Sequence, residues 1–269
     1  MKYIGIRGHR GAGKTSIAYL LGCAIDYLIT DAFDIDEYNN KYASWCKNIK
    51  SNPGILSDAD HKHVIYEKFG DTPKMIISML TGISLNDMKS GSARDNKIIN
   101  LKDFSVIAKD DSFDDKLWEA EEFWLHHQQD VSVVPGVINE DIYMTLREFI
   151  IYFGIYVMQN AFGHNVWIKS LVMNSNFFNG LFPDEEQNIY KIMSDVKSRS
   201  EVSYIYDKKG IIVRVSRPSN VKRGGMNLLR GDSRYDYEIV IENDIEDLSE
   251  KILETAKNII NHESIQNKA

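Results

Sequence analysis

The sequence predicts an α/β fold with a central, mostly parallel sheet covered by helices. Three observations carry this. A short apolar run, KYIGI at 2–6, leads straight into a glycine turn and then into a helix-periodic segment. Two downstream runs, NIYKIMSD at 188–195 and IIVRVSRP at 211–218, have the continuous hydrophobicity of strands buried on both faces. A third, DYEIVIEN at 236–243, is followed by the amphipathic segment IEDLSEKILETAKNIINH at 245–262. Strands alternating with helices are the pattern of a parallel sheet.

Taken in order, the first strand ends in GHRGAGKT, Gly8 to Thr15, which fits G-x-x-x-x-G-K-[ST]. From Lys14 onward, Ile17, Leu20, Leu21, Ala24, Ile25 and Leu28 fall at helical spacing. Strand, glycine loop and helix therefore follow in the order a phosphate-binding P-loop requires. Gly8, Gly11 and Gly13 permit tight turns and close backbone approach. With Ala12 and Ser16 they form a cradle whose N–H groups, at a helix N-terminus, suit an anion. Lys14 is placed to reach the β- and γ-phosphates, and Thr15 to offer its hydroxyl to Mg²⁺. Arg10 lies inside the loop, either beside the phosphates or facing solvent. The cofactors this implies are ATP and Mg²⁺, and the fold class is the three-layer P-loop NTPase type.

Residues 31–68 mix polar and aromatic residues around Pro53-Gly54 and suggest a short strand, then loops and a helix. Residues 73–81 form a helix with proline at its start, and Gly82 stops it. Residues 86–103 are polar enough for a mobile loop. A helix within 110–130 follows the acidic cluster DDSFDD, read as a solvated helix start rather than a metal site. Residues 142–172 form one long apolar helix, or two broken near Gly163. His61/His63 and His126/His127 lack the partners of a metal site and read as surface histidines.

Composition bounds the function. The chain has 269 residues, 43% hydrophobic and 26% charged, enough for one large domain or a domain with an insertion. A net charge of −7 speaks against broad contact with a nucleic-acid backbone. No stretch reaches the ~18 apolar residues of a membrane span, and FIIYFGIYVM at 149–158 reads as a buried helix. The N-terminus does not resemble a signal peptide. Cys23 and Cys46 form no metal spacing or disulfide framework. A cytoplasmic location, in a host cell for a phage-encoded chain, is the expectation.

Further segments sharpen the function. FGDTPK (69–74), RDNK (94–97), MTLREFIIYFG (144–154), NVWIKSL (165–171), SDVKSRSE (194–201) and VSRP (215–218) follow the loop in that order. Together they resemble the bacteriophage-type deoxynucleoside monophosphate kinases. That family carries F-A-D-x-x-K, a T-x-R-x-x-L-Q-x-x-G helix, a W-V segment, D-V-R-x-x-x-E and R-P. The resemblance spans roughly residues 1–30 and 69–260.

It implies phosphoryl transfer from ATP to a deoxynucleoside 5′-monophosphate, as in the supply of phage DNA precursors. Such transfer asks mainly for positioning and charge neutralisation. By the resemblance, Arg147 grips the acceptor phosphate, with pairing to Glu148 or Glu140 as the competing view. Asp71 and Lys74 sit at the mouth of the acceptor pocket, Asp71 alternatively capping a helix. Asp195, at a strand's carboxyl end, orients Mg²⁺ or its water. Lys197 and Arg199 follow as substrate-binding cations, and Arg217 faces the adenine or ribose side of ATP. The whole chain is expected to be one kinase domain, with 31–141 an inserted, mainly helical acceptor region and 218–235 a lid. The sequence leaves a homodimer open.

The chain also departs from the family. Ile151 stands where the pattern has glutamine, and Tyr156 where it has an acidic residue. The usual D-V-R is Asp195-Val196-Lys197, the family's lid motif is missing, and 31–68 is extra. These changes bear on the acceptor, with Ile151 and Tyr156 lining a greasier pocket. Two alternatives follow: a kinase acting on a modified base in DNA or another small hydroxyl, and a nucleotide-binding protein without kinase activity.

Overall fold

All strand pairs of the larger sheet run parallel, which requires a crossover segment between each pair of neighbours. In a computed structural model, residues 2–9, 11–30, 33–51, 62–110, 116–118, 120–127, 141–171, 190–218 and 234–266 are described. The chain divides into two units, residues 1–69 with 179–269, and residues 70–178.

The first unit contains β1 (Lys2–Arg7), α1 (Lys14–Thr30), α2 (Ile35–Ser51) and β2 (Val64–Glu67). In the second lie α3 (Asp71–Thr81), α4 (Leu85–Lys89), α5 (Gly91–Asn96), β3 (Lys97–Asn100), β4 (Val106–Ala108), α6 (Ala120–His127) and β5 (Tyr143–Thr145). It continues with α7 (Leu146–Ile151), a π-helical turn (Tyr152–Val157), α8 (Met158–Phe162) and a helix, α9, described over 166–171. The chain then returns to the first unit as β6 (Tyr190–Val196), α10 (Arg199–Asp207), β7 (Ile211–Ser216), β8 (Tyr237–Val240), a 3₁₀ turn (Ile245–Leu248) and α11 (Ser249–Gln266).

The first unit's sheet has five strands in the order β2-β6-β1-β7-β8. One face is covered by α1 and α11, and α2 packs on α1 and the 3₁₀ turn. There Ile4, Ile6, Ile192 and Val213 join Ile17, Leu21, Ile25, Ile252 and Ile259 in one buried cluster. On the other face α10 packs against β1 and β7. Gly5 makes that approach close, since a Cβ there would overlap Ile205 of α10. The same face carries a buried ion pair, Lys191 Nζ to Glu67 Oε1 at 2.7 Å. The expected α/β class and parallel sheet agree with the structure, in which the runs at 2–6, 188–195, 211–218 and 236–243 supply β1, β6, β7 and β8; residues 188–189 lie outside the described residues.

Residues 31–68 differ from the expectation. A long helix comes first and the strand follows it. The buried face of α2 consists of Tyr38, Tyr42 and Cys46, four residues apart. Its hydroxyls are satisfied by main chain: Tyr42 donates to the Ile245 carbonyl at 2.6 Å, and Tyr38 to that of Ser249 at 3.0 Å. A core face made of tyrosines lacks the aliphatic signature by which such helices are read. Residues 70–178 form the second unit, so α2 and β2 belong to the first.

In the second unit, residues 86–103 are ordered structure and not a mobile loop. Ser84 caps α4, accepting from Asp87 N at 3.1 Å, and Ser90 caps α5, accepting from Ala93 N at 3.3 Å. β3 is then the middle strand of an antiparallel three-stranded sheet, β4-β3-β5. Gly82 ends α3 in the left-handed conformation, with its N–H on the Ser78 carbonyl. Ile77, Met88, Phe123, Phe149, Tyr152 and Trp167 share this unit's core.

The long apolar helix begins after Thr145, whose hydroxyl accepts from Glu148 N at 3.2 Å, and breaks at Gly163 as expected. Its middle is the π-helical turn. The Trp167 indole N–H donates to the Gly154 carbonyl at 2.8 Å within that turn, in a buried setting. Trp167→Phe keeps an aromatic ring but removes the donor and part of the buried bulk. Urea unfolding is expected to show a loss of about 1–2 kcal/mol with an unchanged denaturant slope.

Candidate functional site

Three strand ends build the site in the first unit. Open parallel sheets offer their ligand positions at the carboxyl edge, where the chain leaves the sheet. β1 ends at Arg7 and passes into the glycine loop. Gly8 lies so close to β7 that a Cβ would overlap the Val215 carbonyl oxygen. Gly11 and Gly13 adopt φ of 77° and 91°, which L side chains rarely accept. The loop closes on itself through Ala12 N–H to the His9 carbonyl at 3.2 Å, and α1 starts at Lys14. Thr15 and Ser16 are half-buried on its first turn. Arg10 lies outside the described residues.

Lys14 folds its ammonium back onto the loop, donating to the carbonyls of Gly8 at 2.9 Å and His9 at 2.8 Å. Its pKa is lowered from 10.5 to about 8, first by burial, then by the positive charge of Lys197, with Asp195 opposing. The sequence-predicted Lys14, Asp195 and Lys197 are thus brought into one electrostatic neighbourhood.

The reason is a bulge. Gly5 pairs with Met193 and Arg7 with Val196, so two steps along β1 match three along β6. The extra residue falls at Ser194–Asp195 and re-aims the strand's end. Asp195 Oδ1 also accepts the Phe69 N–H at 2.9 Å, which ties the segment after β2 to the end of β6. Lys197 and Arg199 follow as exposed residues. Arg217 stands just past β7. Two buried polar atoms at this edge, Ser194 Oγ and Arg217 Nε, have no hydrogen-bond partner among the described residues. Orphaned buried groups of this kind call for an explanation, and a polar ligand supplies one.

A pKa of about 8 gives Lys14 a testable pH dependence. An anion is gripped only by the ammonium form. As pH rises through about 8 the free protein loses that proton. ATP affinity is therefore expected to fall by up to about tenfold per pH unit above 8. The stability effect has the opposite sign. A lysine whose folded pKa lies below its unfolded value costs stability at low pH, and the cost is relieved between about 8 and 10.5. Calorimetric titrations of ATP at pH 7, 8 and 9 check this. Lys14→Arg, whose charge persists, is expected to flatten the profile.

The remaining predicted residues lie in the second unit. Asp71 is the first residue of α3 and does not cap it; Gly70 holds the cap position without a side-chain bond. Asp71 pairs instead with Lys74 at 3.1 Å, one turn on. Arg147, near the start of α7, grips Asp95 of α5 with Nε on Oδ1 and a terminal nitrogen on Oδ2. The competing partner expected from sequence was Glu148 or Glu140, and Glu140 lies outside the described residues. Helix α3 packs on α7, so both charged pairs sit on adjoining elements. Ile151 is half-buried just before the π-helical turn. Tyr156, within the turn, stacks on Trp124 of α6, with ring centres 5.5 Å apart. Burial, and secondarily the Glu121 charge, push its hydroxyl pKa up.

Three participants have partners that no local pattern indicates. Asp95 lies in RDNK and Trp124 on the expected helix, but each meets its partner across a long stretch of chain. Glu201 stands at the glutamate of the D-V-R-x-x-x-E pattern, and S-x-x-E at 198–201 is also a capping-box pattern. The predicted lid at 218–235 falls mostly outside the described residues, as does the acidic stretch 111–115. Among the described residues, no group of three or more His, Cys, Asp or Glu is placed to hold a metal ion. His126 and His127 lie against Trp118. No described helix is long and apolar enough to cross a membrane. No known protein-family model matches the chain. No curated protein is significantly similar to it.

Proposed function

We propose that the chain is a P-loop kinase that transfers the γ-phosphate of ATP to a deoxynucleoside 5′-monophosphate. The observation that carries this reading is the glycine loop at the carboxyl end of the sheet's central strand. It opens α1 and holds Lys14 among desolvating surroundings beside a second lysine. A partly buried ammonium that also feels a second lysine's charge is costly alone and is offset by a polyanion. The orphaned Arg217 Nε at the same edge supports a polar ligand there.

In this reading the loop N–H groups and Lys14 hold the donor phosphates and neutralise charge as it moves to the leaving oxygen. Thr15 and Asp195 offer a hydroxyl and a carboxylate, hard oxygen donors of the kind that suit Mg²⁺ when phosphates and water complete its shell. Bound there, Mg²⁺ supplies charge neutralisation at the phosphate oxygens. Arg147 presents a planar fork suited to a phosphate, and a carboxylate already occupies that fork. For acceptor binding, the phosphate takes the place of Asp95. The deoxynucleoside monophosphate as acceptor rests on the ordered segments 69–74, 144–154 and 194–201.

One observation favours a second reading, nucleotide binding without transfer. Arg147 is bound by Asp95, and Tyr156 is covered by Trp124, so both residues assigned to the acceptor have protein partners. A coupled assay of ADP release over all natural and hydroxymethylated deoxynucleoside monophosphates separates the two. The kinase reading expects stimulation by at least one. ATP binding with no stimulation by any favours the second.

A further inference from the structure

We propose that Glu201 is a positioning residue for the phosphate site, fixing the turn after β6 so that Lys197 stands beside the glycine loop as a second phosphate-binding cation. This rests on the nucleotide-binding part of the function proposed above. It moves Lys197 from the acceptor side, where the resemblance placed it, to the donor side.

Strand register gives the placement. Arg7 of β1 pairs with Val196 of β6, so the next residues, Gly8 and Lys197, leave the sheet level with one another. Gly8 opens the loop and lends its carbonyl to Lys14. The lysine one step past β6 therefore stands next to the loop's first glycine. The Lys197 charge acts on Lys14, which agrees with that placement.

The turn is held from the far side. Glu201 Oε2 accepts the N–H of Lys197 at 2.6 Å and that of Ser198 at 2.8 Å. Ser198 Oγ in turn accepts the Glu201 N–H at 3.2 Å, completing a capping box at the start of α10. An ordinary box ties the cap residue alone. Here the carboxylate also holds the residue before it, which is the lysine. Glu201 thus joins the first turn of α10 to the backbone from which Lys197 projects. Lys197 itself is exposed, so its side chain is not held by packing. Its direction depends on that backbone.

Charge alone and positioning predict opposite signs for one variant. Glu201→Ala removes a negative charge near the site, and by field effect alone this tightens anion binding. Loss of positioning weakens it. The test is calorimetric binding of inorganic tripolyphosphate and of ATP to the full chain. Lys197→Gln is expected to weaken both about tenfold, as for loss of one charged hydrogen bond, and Lys197→Arg to restore them. Glu201→Ala is expected to weaken both by a similar factor. Glu201→Gln keeps an acceptor oxygen and is expected to stay within about threefold of wild type. The Lys197→Gln/Glu201→Ala double variant is expected to be no weaker than the weaker single one.

Tripolyphosphate binding that is unchanged or tighter in folded Glu201→Ala overturns the inference. So does unchanged binding in Lys197→Gln, which decides the matter alone where Glu201→Ala does not fold. Lys14→Ala separates the two levels. If it weakens binding while Lys197→Gln does not, the positioning role falls and the nucleotide site stands. If Lys14→Ala leaves tripolyphosphate binding intact, the loop is not the phosphate site and the proposed function falls with the inference.

Discussion

Lys14→Ala is expected to reduce ATP-dependent transfer by on the order of a hundred- to a thousandfold, the range for removing one preorganised charge donor from a transferring group. Melting temperature is expected to stay level or rise slightly. Lys14 is desolvated beside Lys197, and its hydrogen bonds go to the carbonyls of Gly8 and His9, two loop positions. Removing a cation that the fold itself disfavours relieves repulsion. Loss of activity without loss of stability marks a residue kept for ligand and not for fold. A thermal melt beside a steady-state assay checks both halves. A large fall in melting temperature would mean that the contacts to Gly8 and His9 hold the loop together.

Gly8→Ala is expected to cost about 1–3 kcal/mol of stability, as overpacking does, and to abolish nucleotide binding. The new methyl would overlap the Val215 carbonyl oxygen, a backbone atom of β7. β7 is paired on both sides, to β1 and to β8. It has no rotamer to change, so relief comes only by moving a strand or the loop. Gly11→Ala is the control. Among the described residues no atom lies within 4 Å of a Cβ there, and its φ of 77° opposes the change. It is expected to cost about 1–2 kcal/mol through backbone strain alone. Gly8 too has a positive φ, 157°, so urea unfolding of the two variants, with ATP titration of each, shows what crowding at the strand adds to strain in the loop.

The parallel sheet was legible because its strands are continuous apolar runs. Ile4 and Ile6, Tyr190 and Ile192, and Ile211 to Val213 are buried as their sequences suggest. The loop was legible because glycine spacing records backbone conformation directly, and Gly11 and Gly13 do take positive φ. Helix α2 was obscured because its buried stripe is tyrosine and cysteine. For α4 and α5, each only five or six residues long, the signal lay in the Ser84 and Ser90 caps and not in periodicity. Long-range pairing was beyond reach in principle. Asp95 stands in RDNK, but it lies 52 residues from Arg147 and nothing local marks it as that arginine's partner. The meeting of Asp195 and Lys197 with Lys14 depends on a one-residue bulge in β6, which hydrophobic pattern does not encode.

The central claim is that phosphate moves from ATP to a mononucleotide through the site at Lys14. Its most direct test uses ATP labelled in the γ-phosphate, incubated with the chain, Mg²⁺ and a mixture of deoxynucleoside monophosphates, with the products separated by chromatography. Label is expected in a deoxynucleoside diphosphate with wild-type protein and almost none with Lys14→Ala. Label confined to ATP and inorganic phosphate, or transferred to polymer instead of mononucleotide, would contradict it.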